Sequence, residues 1–289
     1  MNEMDPRTLT GKTVVAGVFG WPINHSRSPR LHGYWLAKYG IDGACLPFAT
    51  RPENLVDAIR ALPKLGFKGG NITLPHKERA LAAVDDLSDV ARRIGAVNTL
   101  VVREDGTILG DNSDGYGFLQ HLMTSAPHWR AEAGPAVVLG AGGAARAIIV
   151  ALIDAGVPKI ILTNRTESRA DNLARELGGD VSGRIEVIDW TLREAALEGA
   201  GLLVNTTQLG QAGQAPLQLD LRHLPPGAVV DDIVYVPLET PLLAAARARG
   251  NAVVDGIGML LHQARPGFKA WFGVEPEVDA GLREFVLRG

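Results

Sequence analysis

Side chains that could bind a polar ligand recur in the first part of the sequence, at Ser26, Ser28, Asn71, Thr73, Lys77, Asn98 and Asp114. Their hydroxyl, amide, amine and carboxylate groups match the hydrogen-bonding needs of a polyhydroxylated carboxylic acid. Each residue also has an ordinary structural interpretation, such as turn formation for the serines or helix capping for Asp114. The residue types therefore indicate a small polar substrate, while each position taken alone leaves the structural alternative open.

The spacing of these residues places several of them together. Ser26 and Ser28 lie two residues apart in a proline-bounded loop. Asn71 and Thr73 alternate with a hydrophobic residue, so both side chains should leave the same face of one strand end. Lys77 follows four residues later, just after a proline. The loop and the strand end are therefore the parts of the sequence that must converge on one ligand.

The stretch AVVLGAGGAARA, residues 136–147, predicts a buried strand, a tight turn and the first turn of a helix. Gly140, Gly142 and Ala145 fit the G-x-G-x-x-G/A pattern that binds the pyrophosphate of a dinucleotide. The unpaired amides and the positive end of the helix dipole favour an anion at this turn. A glycine-rich turn that binds no ligand is the alternative interpretation of the same residues.

Two arginines stand where an NAD site usually has an acidic residue for the ribose hydroxyls. The segment 164–166 is Asn-Arg-Thr, so Arg165 lies at the end of the second predicted strand, and Arg169 follows one turn later. Guanidinium groups can bind a 2′-phosphate bidentately. The sequence therefore predicts NADP rather than NAD, and the alternative is that both arginines belong only to an exposed helix start.

Alternating strands and helices must position these residues. Up to about residue 112 the sequence predicts strands near 13–19, 44–48, 69–73, 98–103 and 107–110, and helices near 29–39, 52–62, 76–84 and 89–94. A helix from Asp114 leads into the βαβ unit of the glycine turn, and short apolar strands follow near 185–188, 202–205, 229–232 and 251–254. This order favours an open, mostly parallel sheet, followed by helices near 258–272 and 277–287.

Composition narrows the class of protein. A length of 289 residues favours two domains, and a net charge of −3 gives no indication of a nucleic-acid or anionic-membrane partner. The single cysteine, Cys45, excludes an internal disulfide, and no histidine or carboxylate cluster has the spacing of metal ligands. The polar residues 1–12 lack the apolar segment of a secretory signal, and no apolar run approaches the ~20 residues of a membrane span. We expect a cytoplasmic protein without a metal.

Nine motifs in order give the sequence a resemblance to the shikimate dehydrogenase family over nearly its whole length. They are VFGWPINHSRSP at 18–29, GGNITLPHK at 69–77, GAVNTL at 95–100, GDNSDGYGF at 110–118, LGAGGAARA at 139–147, NRTESRA at 164–170, VNTT at 204–207, DIVYVPLETPLL at 232–243 and DGIGMLLHQA at 255–264. The resemblance implies NADP-dependent, reversible reduction of 3-dehydroshikimate to shikimate, in the pathway of chorismate and aromatic amino-acid biosynthesis.

The resemblance also implies a fold and a division of the chain. The expected fold is α/β, with a substrate-binding catalytic domain of residues 1–113 and 256–289 and a Rossmann-like NADP-binding domain of residues 114–255. The C-terminal helices return to the first domain, which is therefore discontinuous. Substrate and NADP are expected to meet in a cleft between the domains of a monomer or homodimer.

The matching positions carry the family's functional residues. The resemblance assigns the substrate carboxylate to Ser26 and Ser28, and further substrate contacts to Asn71, Thr73, Asn98, Tyr235 and Gln263. It assigns catalysis to the pair Lys77 and Asp114. The residues that it assigns to NADP are Gly140, Ala141, Gly142, Gly143, Ala144, Asn164, Arg165, Thr166, Arg169, Thr206, Gly256 and Met259.

The chemistry of this pair fits the implied reaction. Hydride reduction of a ketone creates an alkoxide that must take up a proton, and Lys77 can donate that proton while its charge stabilises the oxygen. Asp114 would favour the charged ammonium, whereas desolvation would disfavour it. The open alternatives are a quinate or quinate/shikimate dehydrogenase, a ligand-sensing homologue without catalysis and a folate-linked dehydrogenase. The two serines and two arginines disfavour the NAD-linked quinate enzyme, and retention of Lys77 and Asp114 disfavours the sensor.

Overall fold

The computed structural model describes residues 9–288, without the side chains of residues 180 and 182. The polar stretch 1–12, on which the expectation of no secretory signal rests, therefore lies mostly outside the described residues. The chain forms two compact units, one through Ser113 and again from Gln263, the other Asp114–His262. In the described part of the chain, no helix is both long enough and apolar enough to cross a bilayer.

The first unit is built on a mixed six-stranded sheet. Its strands are β1 Val14–Gly20, β2 Gly43–Ala49, β3 Gly69–Ile72, β4 Asp86–Leu87, β5 Thr99–Val102 and β6 Ile108–Asp111. Their order is β2-β1-β3-β5-β6-β4, with β1 parallel to β2 and β3, and β5 antiparallel to β3 and β6. The last residues of β3 therefore lie beside the first residues of β5. This pairing brings Asn71 and Thr73 close to Asn98, which directly precedes β5.

Helices of the first unit are α1 Ser28–Lys38, α2 Leu55–Ala61 and α3 Asp89–Ile94. Leu55 and Ile59, four residues apart on α2, are fully buried with Phe19 and Ile72 of the sheet in one hydrophobic core. This spacing is the apolar face that the sequence periodicity predicted. The core thus fixes the strand that carries Asn71.

The second unit is built on a six-stranded sheet in which every pair of neighbours is parallel. Its strands are β7 Ala136–Leu139, β8 Ile160–Thr163, β9 Ile185–Val187, β10 Leu202–Asn205, β11 Val229–Asp232 and β12 Ala252–Asp255. The order β12-β11-β10-β7-β8-β9 reverses direction beside β7, as in a doubly wound dinucleotide-binding sheet. The three adjacent strands β11, β10 and β7 are buried along their whole length, as expected for a parallel sheet that is covered on both faces.

The remaining helices are α4 Asp114–Ser125, α5 Gly143–Asp154, α6 Glu167–Leu177, α7 Gly179–Ser182, α8 Pro241–Ala248, α9 Gly256–Phe272 and α10 Ala280–Leu287. The division between the two units falls after His262, inside α9, rather than before it. The last helix lies against α1, where Arg30 Nε donates to the carbonyl of Phe285 at 2.6 Å. The expected α/β fold, with C-terminal helices that return to the first unit, is confirmed.

Some local elements differ from the sequence prediction. The helix expected near 76–84 is only a 3₁₀ segment, Arg79–Ala83, because so short a segment gains few helical hydrogen bonds. Strand β4 was not predicted, since two residues carry no alternation. It forms through long-range pairing, in which Asp85 and Ile108 exchange hydrogen bonds of 2.9 and 2.8 Å. The last helix begins at Ala280 because Asp279 caps it by accepting from the amide of Leu282.

Candidate active site

The two predicted carboxylate-binding serines lie at the start of α1. Ser28 is the first residue of the helix and is buried, whereas Ser26 is half-buried in the preceding loop. The amide of Ser28 donates to Oγ of Ser26 at 3.3 Å. The structure therefore brings the two serines together at the N-terminus of α1, where the positive end of the helix dipole favours an anion.

Asn71 is held from two sides at the end of β3. It is only 4% exposed, and its Nδ2 donates to the backbone carbonyl of Asn98 at 3.3 Å. Its Oδ1 lies 3.2 Å from Nε2 of His32 on α1. Thr73, two residues further, is half-buried, and its amide donates to the carbonyl of Phe19. The side chain of Asn71 is thus fixed by its own unit before any ligand binds.

A buried network joins Asn98 to Gln263. Nδ2 of Asn98 donates to Oε1 of Gln263 at 3.2 Å and to Oγ of Ser113 at 3.1 Å. Oδ1 of Asn98 accepts from Thr99 Oγ1 at 2.8 Å and from the Ser113 amide at 2.9 Å. Ser113 Oγ also donates to the carbonyl of Gln263 at 2.8 Å. Two residues assigned to the substrate, 165 positions apart in sequence, are therefore in direct contact.

Ser113 and His32 are parts of this site that the sequence analysis did not assign. Ser113 belongs to the polar run before α4, and His32 lies four residues after Ser28, on the same helix face. The pattern Ser-x-x-x-His at a helix start could have suggested that both side chains face one site. Nothing in the local sequence indicates the partners of Ser113, because they come from β5 and α9.

The two predicted catalytic residues belong to different units. Lys77 is half-buried, and its backbone carbonyl accepts from the amide of Val97 at 2.8 Å, next to Asn98. Asp114 is the first residue of α4 and is 3% exposed. The backbone of Lys77 is therefore anchored within the substrate-side unit, and the pairing of Lys77 with Asp114 stays a prediction.

The glycine turn has the geometry that the fingerprint predicts. Gly140 follows β7 with φ of +109°, and a Cβ there would lie 2.6 Å from Oγ1 of Thr206. Gly142 is the N-cap of α5, and a Cβ there would meet nothing within 4 Å. Ala145 is fully buried against the sheet. The turn thus leaves the helix N-terminus open to an anion, with Gly140 required by both its backbone angle and its close contact.

A buried polar network fixes the loop beside this turn. Asn205, at the end of β10, accepts at Oδ1 from the amide and hydroxyl of Thr207 and donates to the carbonyl of Leu209. Its Nδ2 also donates to Oδ1 of Asp232 at 2.9 Å, and Oδ2 of Asp232 accepts from Thr240 at 2.7 Å. The loop that carries Thr206 is therefore held by β11 and by the cap of α8.

Burial strongly affects the acidic residues at this end of the sheet. Desolvation raises the pKa of Asp232 to about 6, although hydrogen bonds from Thr240, Val234 and Asn205 act in the opposite direction. Desolvation, together with the charges of Asp232 and Asp255, raises the pKa of Asp231 well above its usual range. The carboxyl of Asp232 is consequently sensitive to proton uptake slightly below neutral pH.

The two predicted 2′-phosphate residues lie at the surface. Arg165 and Arg169 are exposed, before and in the first turn of α6, and Nδ2 of Asn164 donates to the carbonyl of Thr166 at 2.8 Å. A cavity of about 350 Å³ begins at Arg165 and is lined by Arg165, Trp190, Arg193, Leu209, Ala215, Pro216, Leu217 and Gln218. Arg193 contributes a second positive charge that the sequence analysis did not assign.

The other residues assigned to NADP or substrate lie on nearby elements of the second unit. Gly256 begins α9, where a Cβ would overlap the backbone carbonyl of Ile233 beyond β11. Met259 is half-buried one turn later, and Tyr235 is half-buried in the segment after β11. Gly256 is therefore required by the close approach of α9 to that segment. Within residues 9–288, no group of three or more His, Cys, Asp or Glu side chains could hold a metal ion.

The residues present fit a dinucleotide with a 2′-phosphate. An open helix N-terminus after a glycine turn suits the pyrophosphate, and two exposed guanidinium groups, just before and in the first turn of α6, suit the additional phosphate. The chain has no acidic residue in the segment 164–166 that would repel that phosphate. The donor set therefore agrees with the cofactor expected from the sequence.

Comparisons with known proteins agree with this geometry. The family model of the shikimate dehydrogenase substrate binding domain matches residues 18–100, and that of shikimate/quinate 5-dehydrogenase matches residues 127–207. A shikimate dehydrogenase (NADP(+)) of Paramagnetospirillum magneticum is 60% identical over 279 residues, which are 96% of this chain and 100% of that protein.

Two solved structures have the same fold. Shikimate 5-dehydrogenase of Thermus thermophilus, in complex with NADP(H) and shikimate, is 36% identical, with a TM-score of 0.83 and coverage of 96% and 99% of the two chains. Quinate dehydrogenase of Corynebacterium glutamicum, in complex with NAD, is 32% identical, with a TM-score of 0.86 and the same coverage. The chain belongs to the shikimate dehydrogenase family.

Proposed function

We propose that this chain is an NADP-dependent shikimate dehydrogenase, which interconverts 3-dehydroshikimate and shikimate. The observation that carries the proposal is the buried amide network of Asn71, Asn98 and Gln263, which His32 links to α1, the helix that begins at Ser28. Amide and hydroxyl groups that are already oriented suit a substrate with several hydroxyls and one carboxylate. The identity of 60% with a shikimate dehydrogenase supports the same substrate.

Binding of the substrate is assigned to the first unit. Ser26 and Ser28 donate hydrogen bonds to the carboxylate at the N-terminus of α1, and Asn71, Thr73, Asn98 and Gln263 bind the ring hydroxyls. Their partners within the protein, above all His32 and Ser113, hold these groups in place and reduce the entropy lost on binding. Tyr235 is assigned to the mouth of the site.

Proton transfer is assigned to Lys77 and Asp114. Lys77 donates a proton to the substrate oxygen during reduction and removes it during oxidation, while its positive charge stabilises the alkoxide. Asp114 completes the pair by favouring the charged ammonium. The anchored backbone of Lys77 leaves its long side chain as the part that reaches the substrate.

NADP binding is assigned to residues 114–255 and the start of α9. The bound nicotinamide supplies or accepts the hydride. The turn at Gly140 to Ala144 and the N-terminus of α5 bind the pyrophosphate, Arg165 and Arg169 bind the 2′-phosphate, and Asn164 and Thr166 support them. Thr206, Gly256 and Met259 complete the cofactor side. The proposal also places the enzyme in the cytoplasm, in the pathway of aromatic amino-acid biosynthesis.

A quinate dehydrogenase is the second candidate, because a quinate dehydrogenase with bound NAD shares this fold. The two activities are separated by initial rates of the purified protein with shikimate or quinate, each with NADP or NAD. We expect the highest kcat/KM with shikimate and NADP. A higher kcat/KM with quinate and NAD would replace the proposal, and no reduction of either cofactor would favour a non-catalytic homologue.

A further inference from the structure

His32, on α1, is fully buried and has no contact with solvent. Its ring stacks on Phe268 at 5.9 Å between centroids and lies 5.4 Å from the ring of Trp271. Burial lowers the pKa of His32 to about 4, against an opposing effect of the hydrogen bond to Asn71. The imidazole is therefore neutral at neutral pH, and one of its two ring nitrogens carries the only proton.

The contact with Asn71 decides which nitrogen carries that proton. The backbone carbonyl of Asn98 can only accept, so the group of Asn71 that faces it at 3.3 Å must be the amide Nδ2. Oδ1 of Asn71 consequently faces His32, and because this oxygen also only accepts, Nε2 of His32 must be the donor across 3.2 Å. Among the described residues, Nδ1 of His32 has no hydrogen-bond partner, which agrees with a nitrogen that holds no proton.

The same contacts fix what Asn71 can offer to a ligand. One N–H of the Asn71 amide donates to the Asn98 carbonyl, and the amide oxygen accepts from Nε2 of His32. The second N–H remains for an oxygen of the ligand. Without the imidazole donor, only the bond to the Asn98 carbonyl would hold the amide, so the second N–H of Asn71 would be less well oriented toward a ligand oxygen.

We propose that His32 is a positioning residue, which as the neutral Nε2–H tautomer holds the Asn71 amide so that Asn71 donates a hydrogen bond to the substrate. The inference rests on the proposed function, because it takes Asn71 as a substrate contact. Helix α1 then has two roles, since Ser28 binds the substrate directly and His32, four residues later, acts through Asn71.

The tautomer is measurable without any activity. Selective ¹⁵N labelling of histidine and two-bond ¹H–¹⁵N correlation spectra of the full-length protein distinguish Nε2–H from Nδ1–H. His32→Phe identifies the signals of His32 by their loss. We expect an Nε2–H pattern that does not change between pH 5.5 and pH 8. An Nδ1–H pattern, or protonation of the ring within this range, would overturn the proposal.

The functional consequence is measured by steady-state kinetics. His32→Phe keeps a ring in the aromatic cluster and removes the donor, so KM for shikimate should rise about threefold to tenfold. KM for NADP should stay within twofold. His32→Gln offers an amide N–H near the position of Nε2 and should recover most of the affinity for shikimate. The packing control is Phe268→Leu, which removes the stacked ring and keeps the donor.

The outcomes separate the inference from the proposed function. If the wild-type protein does not oxidise shikimate with NADP, the proposed function fails, and the tautomer spectrum still tests the His32–Asn71 contact. If the wild-type protein is active but His32→Phe leaves KM for shikimate unchanged, the positioning role is wrong and the function stands. An equal rise in KM for Phe268→Leu would likewise assign the effect to packing. If His32→Phe does not fold, the His32→Gln variant and the wild-type spectrum decide.

Discussion

Nδ2 of Asn205 donates to Oδ1 of Asp232 at 2.9 Å, and this bond joins the ends of two adjacent parallel strands of the second unit. Because Oδ1 of Asn205 accepts from the amide of Thr207, the side chain also closes the turn that follows β10. Thr206, which lies between Asn205 and Thr207, packs on Gly140. The position of the loop beside the glycine turn therefore depends on a hydrogen-bond donor at residue 205.

The first prediction concerns a substitution that removes this donor. Asn205→Asp places a second carboxylate against Asp232, so the loop should shift and the affinity for NADP should fall by about tenfold to a hundredfold. KM for shikimate should change much less. The matched control is Asn251→Asp, another buried asparagine of the same unit, whose Nδ2 donates to the carbonyls of Pro225 and Ala228 away from the turn. Calorimetric titration with NADP gives the two affinities, and equal losses in both variants would contradict the prediction.

The second prediction concerns pH and stability. The pKa of Asp231 is raised in the folded state by burial and by two neighbouring carboxylates, so the folded protein binds its proton more tightly than the unfolded chain does. Its stabilising contribution is therefore present at low pH and is lost as pH rises through the folded-state pKa. His32, with its pKa lowered to about 4, has the opposite effect at acidic pH, so the wild-type curve alone does not isolate Asp231.

Comparison with a variant isolates the contribution of the Asp231 carboxyl to the pH dependence of stability. Asp231→Asn cannot ionise, so the free energy of unfolding of the variant should rise relative to that of the wild type when pH is increased from 5 to 8, because the pKa of Asp231 is raised in the folded state. Urea unfolding at both pH values measures the difference. Asp220→Asn is the control, because hydrogen bonding to Arg222 lowers the pKa of that half-buried carboxyl. A difference between the wild type and Asp231→Asn that stays constant with pH would exclude the buried carboxyl as its source.

The parts of the candidate site whose residues lie close together in sequence could be located from the sequence alone. The glycine turn, the arginines of α6 and the serines of α1 each lie in one short segment with a recognisable spacing, and all three are found at the expected element boundaries. Other contacts of the candidate site join residues that are distant in sequence. Ser113 with Gln263, His32 with Asn71 and Asn205 with Asp232 come together only when the sheets form. Local periodicity carries no information about such pairs.

The third prediction tests the choice of cofactor. Arg165→Ala removes a guanidinium that we assign to the 2′-phosphate, so NADP affinity should fall by about tenfold to a hundredfold while NAD affinity changes little. Arg175→Ala provides the control, because Arg175 is an exposed arginine near the C-terminal end of α6, where it contacts Asn172. Fluorescence titration of each variant with both cofactors gives the ratio. An unchanged ratio in Arg165→Ala would remove this residue from the phosphate site.

The last prediction concerns proton transfer. Lys77→Ala should reduce the rate of the chemical step by about 10²–10⁴-fold, because a positioned acid–base group contributes that much. NADP affinity should be nearly unchanged. Single-turnover reactions with saturating NADPH and 3-dehydroshikimate measure the step directly. Lys68→Ala is the control, because Lys68 is an exposed lysine immediately before β3, and this variant should have a normal single-turnover rate.

Asp114→Asn extends this test to the pair. The substitution should slow the same step, and the double variant should be less impaired than the product of the two single losses, because residues that act as a unit are not additive. Multiplicative losses would mean that the lysine and the aspartate act independently. If Lys77 were only a surface residue, its removal would alter the free energy of unfolding by at most ~0.5 kcal/mol and leave turnover intact. A Lys77→Ala protein with normal single-turnover rates would therefore exclude Lys77 as the proton donor, while the cofactor assignments would stand on their own titrations.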